Sequence, residues 1–191
     1  MLNNNYLLLN KFTAMSAKNI AQFLKVIAWV IFIGTCIKAG ALLLNIGIAE
    51  WVQPLATANL YDGLNLQPLR QYNELYYWQI ASSVLFVFVL QAIFGWYLIQ
   101  LAQVLQIDEP FTQPVAKYLT KLGQTALVLS IAALLTNSMA KWLDKFVPVL
   151  ATVKAHNPAS AEILVLAAVL FVVAYIFQRG IALQQENDLT V

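Results

Sequence analysis

A lysine stands in the middle of the first long apolar run. Lys38 is nine residues from Trp29 and thirteen from Trp51. An ammonium at that depth costs about 2.5–3.5 kcal/mol to insert. The twelve Leu, Ile, Val and Phe residues between Val26 and Ala49 return roughly 4–7 kcal/mol at about 0.3–0.6 kcal/mol each, so insertion still wins. Gly34, Thr35, Ala41 and Asn45 lie three, four or seven positions away. They form one small and polar stripe, which is expected to face other helices rather than lipid. Later apolar runs carry Gln91, Asn137 and Tyr175. Brought together with Lys38 and Asn45, these would make a polar intramembrane site for a small anionic or polar solute. The alternative is interhelical glue, with Lys38 donating to Gln91, Asn137 or backbone carbonyls.

The remaining reactive side chains do not assemble a reaction centre. The chain has one cysteine, Cys36, and one histidine, His156. Neither a disulfide within the chain nor a cysteine metal cluster follows from a single thiol. No glycine-rich phosphate loop and no His-Glu-x-x-His motif is present. Glu50, Asp62 and Glu74 fall in one loop region, without a buried partner, while Asp108, Glu109, Glu186 and Asp188 fall on the opposite side. No catalytic set, cofactor or metal site is read from these residues, and the chain is expected not to be an enzyme.

The elements that must position these residues are membrane spans. Of the 191 residues 61% are hydrophobic and 10% charged, against about a quarter charged in soluble domains. A net charge of +2 without a Lys/Arg cluster argues against direct nucleic-acid binding. Four segments are long enough to cross a bilayer, at about 26–49, 76–98, 122–140 and 160–178. Trp29, Trp51, Trp78, Trp96 and Trp142 fall near their ends, as an aromatic belt requires. Lysine and arginine weigh six to four in favour of an inner side holding both termini: Lys11, Lys18, Lys25, Lys117, Lys121 and Arg179 against Arg70, Lys141, Lys145 and Lys154. Outer loops then run at about 50–75 and 141–159, and an inner loop at about 99–121.

The connections carry their own signals. Asn157-Pro158 reads as an N-cap and a first-turn proline for the fourth span, with Glu162 meeting the helix dipole. Asp108-Glu109-Pro110-Phe111-Thr112 breaks the helix that prolongs span two, and Thr112 can cap a new one with Pro114 in its first turn. That short amphipathic inner-loop helix would gather Val115, Tyr118, Leu119 and Leu122 on one side. In the spans, Gln91 and Gly95, then Ser130, Ala133, Asn137 and Lys141, then Ala161, Ala168, Tyr175 and Ala182 form further stripes of small or polar residues. The expected fold is all-α, one transmembrane domain over 1–191, an up-down-up-down four-helix bundle with a partly polar interior.

Two stretches carry a family resemblance. Asp108-Glu109-Pro110-Phe111-Thr112, continuing through Lys117-Tyr118-Leu119 to Leu122-Gly123, resembles the inner loop of the bacterial four-span membrane family catalogued as domain of unknown function 2975. The ending Arg179-Gly180-Ile181-Ala182-Leu183-Gln184-Gln185-Glu186-Asn187-Asp188-Leu189-Thr190-Val191 is similar to that family's ending. The resemblance implies a multi-pass protein of the bacterial cytoplasmic membrane, commonly encoded beside a small helix-turn-helix regulator. It therefore implies a membrane partner for such a regulator, docked through the inner loop and the tail. Leu183, Leu189 and Val191 among polar neighbours make a short docking peptide, with Gly180 placed to loosen the helix before it; the alternative is that Ile181 to Gln185 simply extends span four into water. The alternative function is a small transporter or channel with its polar site at Lys38, for which a homo-oligomer would enlarge the pathway.

Overall fold

The computed structural model describes the backbone of residues 2–105 and 111–188, with side chains at 19, 22–105 and 111–187. Among the described residues there are six α-helices: α1 (Leu2–Trp51), α2 (Gln67–Tyr72), α3 (Glu74–Val104), α4 (Gln113–Leu143), α5 (Leu150–His156) and α6 (Ser160–Asp188), with a 3-10 helix at Pro54–Asn59. No strand occurs among the described residues. Four elements are long and apolar enough to cross a membrane: 22–51, 74–104, 113–143 and the α5–α6 stretch 150–187. The chain is thus an all-α, multi-pass membrane protein of four spans.

Tryptophan pairing sets the depth scale. The Phe32 ring lies between Trp29 and Trp96, at 6.0 and 5.6 Å, while Trp51 and Trp78 line one groove at the opposite end. At about 1.5 Å rise per residue, Trp29 to Trp51 covers about 33 Å and Trp78 to Trp96 about 27 Å. Both bracket a hydrocarbon core of about 30 Å.

Packing follows chain order. α1 lies on α3, α3 on α4 and α4 on α6, and among the described residues no comparable contact joins α1 to α4 or α6. The bundle is therefore open along one side. Its principal core is at the Trp51/Trp78 end, where the 52–73 segment folds inward. Leu60, Leu64, Leu66 and Leu69 are fully buried there against Leu42 and Ile46 of α1, Tyr77 to Leu90 of α3, Leu143 of α4 and Val153 of α5. Tyr61 reaches Phe88, at 5.9 Å between ring centres, and Phe88 is close to midway between Trp78 and Trp96. The stretch expected as an outer loop is thus a packed, inward-folded plug. It satisfies its own backbone through Leu60 N–H to Leu64, Leu64 N–H to Tyr61 and Leu66 N–H to Thr57 carbonyls, as irregular backbone at membrane depth must. We call this the capped end. The other, the open end, holds Phe111 and Thr112 and the end of α6, around a smaller core of Val115, Leu119 and Ala174.

Three local expectations change. The amphipathic entry is not a separate short helix. It is the first turns of α4, which starts after Thr112 and runs unbroken, with Pro114 in the first turn where its missing N–H costs nothing. Thr112 is the N-cap residue, but its side chain makes no cap hydrogen bond. Asn157 closes α5 instead of capping α6, because its amide is drawn to Asn137. Glu162 does sit in the first turn of α6, while Asn73 supplies an unforeseen cap for α3, accepting from Leu75 and Tyr76 N–H.

Candidate functional site at the open end

The five residues expected to share an intramembrane site, all of them described, make no hydrogen bond to one another. Lys38 is exposed on α1, as is Gly34, while Thr35, Ala41 and Asn45 are half-buried. The stripe straddles the edge of the packed face and does not turn inward. The cause is rotational: α1 packs through Ala28, Leu42, Ile46 and Ala49, and Leu42 lies about 40° around the helix from Lys38 at about 100° per residue. Asn45 Nδ2 donates to the Leu60 carbonyl of the plug at 2.6 Å. Gln91 is half-buried, one turn before Gly95, which rests on the Phe32 backbone. Asn157 Nδ2 donates to Asn137 Oδ1 at 3.0 Å. Tyr175 is exposed and its hydroxyl accepts from Arg179 Nε at 3.1 Å, within its own helix.

The fourth-span stripe is rotated as well. Ala161, Ala168 and Tyr175 are exposed, whereas Ala167, Ala174 and Ile181 are buried at 1, 3 and 6% exposure. The packed heptad is one residue earlier, about 100° around the helix. Both heptads are rich in alanine, so residue size alone does not choose between them.

The two stretches expected to dock a partner, in contrast, come together. Phe111 packs on Phe177, with ring centres 5.1 Å apart, and covers Gly180, where a Cβ would fall 2.5 Å from the Phe111 ring. Gly180 does not loosen α6, which continues to Asp188. Its missing side chain is the space that Phe111 occupies. Arg179, Glu186 and Asn187 are exposed on α6; Glu186 and Asn187 each take part in an interaction of their own. Asp108, Glu109, Pro110 and Leu189 lie outside the described residues, as does the side chain of Asp188.

Beside the Phe111–Gly180 contact a groove of about 780 Å³ opens over α4, between Val104 of α3 and Gln178 of α6, and contains Lys117, Lys121, Tyr118 and Gln124. Lys121 Nζ stands 5.0 Å from the Tyr97 ring centre and 5.7 Å from that of Tyr118.

A family model described as protein of unknown function (DUF2975) matches residues 66–191. The chain belongs to this family. The matched part runs from the start of α2 to the tail and holds both resembling stretches, while α1 lies before it. No curated protein and no solved structure was found to match the chain.

Sequence reasoning missed the polar contacts of the capped end. Glu50, expected without a buried partner, pairs with the partly buried Arg70 at 3.0 Å, and Arg70 also donates to the Ala49 carbonyl at 3.0 Å. His156 is half-buried between the carbonyls of Thr152 and Asp62, at 2.7 and 3.1 Å. Thr152 in turn bonds Asn65 N–H and the Gly63 carbonyl. The signal available was the apolar spacing of Leu60, Leu64, Leu66 and Leu69, four leucines too many for a solvated loop.

Proposed function

We propose that this protein is a non-enzymatic membrane partner of a small cytoplasmic helix-turn-helix transcription regulator, which it holds at the open end. One observation carries the reading: Phe111 on Gly180 joins the connector and the end of α6, the two stretches in which the family resemblance is concentrated, into one surface. A contact between segments so distant in sequence gives a partner a composite surface rather than a frayed tail. The regulator itself is what the resemblance implies. On this reading the protein sits in the bacterial cytoplasmic membrane with both termini inside.

The test is co-expression of the full chain with the helix-turn-helix protein encoded beside it. Both proteins are expected to co-purify in detergent, and deletion of Glu186 to Val191 is expected to abolish recovery while membrane insertion is kept. Equal recovery with and without those residues would overturn the role given to the tail.

A further inference from the structure

The groove at the open end has a composition that its neighbours do not share, and the face of α4 that lines it continues into the membrane. Lys117, Lys121, Gln124, Val128, Ile131 and Leu135 follow one another at four- and three-residue steps, so they lie on a single face of α4. The first three line the groove between α3 and α6. The last three line a second groove, of about 330 Å³, shared with Phe86 and Ser83 of α3. One face of α4 thus changes from cationic to apolar as it enters the bilayer.

Depth and charge both point to the occupant. Lys121 stands beside Tyr97, next to Trp96 in the aromatic belt, where phospholipid phosphates lie. The Tyr97 and Tyr118 rings fix its ammonium by cation–π contact, so little side-chain freedom is left to lose on binding. Lys117, one turn further out, is exposed. Among the described lining residues there is no carboxylate. From Lys121 to Ile131 the helix rises about 15 Å, half of a core of about 30 Å. A soluble anion would use only the cationic half of this face. A lipid chain alone would use only the other half.

We propose that this face binds one acidic phospholipid, its phosphate between Lys117 and Lys121 and an acyl chain along Val128, Ile131 and Leu135. Basic pockets between transmembrane helices recognise such headgroups. The Gln124 amide, one turn before Val128 on the same face of α4, is placed to meet the ester and glycerol region.

The full chain in detergent is titrated with phosphatidylglycerol, phosphatidylcholine or glycerophosphoglycerol, the headgroup without chains, and bound lipid is counted by native mass spectrometry. Phosphatidylglycerol is expected to bind at least tenfold more tightly than phosphatidylcholine, and the headgroup alone is expected not to compete. Lys117→Gln and Lys121→Gln should each weaken phosphatidylglycerol by about fivefold, while Lys141→Gln at the capped end leaves it unchanged. A phosphatidylglycerol with a photoreactive acyl chain should crosslink to Val128, Ile131 or Phe86. Equal affinity for the two lipids, or an unchanged preference in the double lysine variant, would overturn the proposal. Full competition by the headgroup would reassign the site to a soluble phosphate ester, and crosslinks elsewhere would remove the acyl path.

Discussion

The ring of Phe111 occupies the space that a side chain at position 180 would fill. A Cβ on Gly180 would fall 2.5 Å from one ring carbon and 3.0 Å from the ring's root atom, so an alanine there cannot be accommodated by turning the ring tip aside. The connector after α3 is thereby tied to the far end of α6, and the ring is backed by Phe177. Two segments brought together by one missing methyl group make a sharp object for mutation.

Gly180→Ala sets two effects against each other. Alanine in a helix interior gains about 1 kcal/mol over glycine, while forcing a close-packed contact apart costs about 1–3 kcal/mol. The collision is expected to win, giving net destabilisation by about 1 kcal/mol. In a Phe111→Ala background the same substitution is expected to stabilise. A double-mutant cycle by denaturant unfolding in detergent measures the difference, and additive effects would show that the two residues do not touch.

Asn137 and Asn157 are joined at the break between α5 and α6, where the Asn157 Oδ1 is buried without a protein partner. Asn137→Ala leaves the Asn157 amide unpaired as well and is expected to cost about 1–3 kcal/mol. Replacing both residues by leucine should cost less than the single change, since no buried polar group is then stranded. Unfolding midpoints of the two variants and the wild type rank them.

Arg70 ties the plug to the end of α1 through Glu50 and the Ala49 carbonyl and lies over the Tyr77 ring at 5.3 Å. Arg70→Ala is expected to cost about 1.5–3 kcal/mol, the range for hydrogen bonds to charged groups. Glu50→Gln should cost under about 1 kcal/mol, because the pair is partly solvated and the carbonyl contact survives. Lysine at position 70 keeps the charge but lacks the fork that serves both acceptors. Its stability should fall between wild type and Arg70→Ala.

Lys38 faces outward near mid-depth, so its removal should help insertion. Lys38→Met is expected to improve insertion by about 2.5–3.5 kcal/mol or less, the cost of a central lysine on insertion scales, and to leave the unfolding midpoint within about 0.5 kcal/mol, as for exposed sites. A glycosylation-based insertion assay reads the first and detergent unfolding the second. A large loss of stability would mean that the lysine is bound within the fold.

The number of spans and their approximate limits were legible in the sequence, because they depend on apolar content summed over about 20 residues and need no knowledge of neighbours. The start of α4 after Thr112 was legible for a similar reason, since Pro114 acts on its own turn of backbone. The family was carried by two short stretches. Rotation about each helix axis was not legible. The Ala161, Ala168, Tyr175 and Ala182 heptad and the Ala167, Ala174 and Ile181 heptad are both small enough for close approach, and only the facing helix selects the second. The same indifference left Lys38 pointing outward. The inward-folded 52–73 plug and the Phe111–Gly180 contact also required the tertiary structure. A leucine's sequence neighbours do not say which distant surface will bury it, and a glycine shows that something can come close without showing what does.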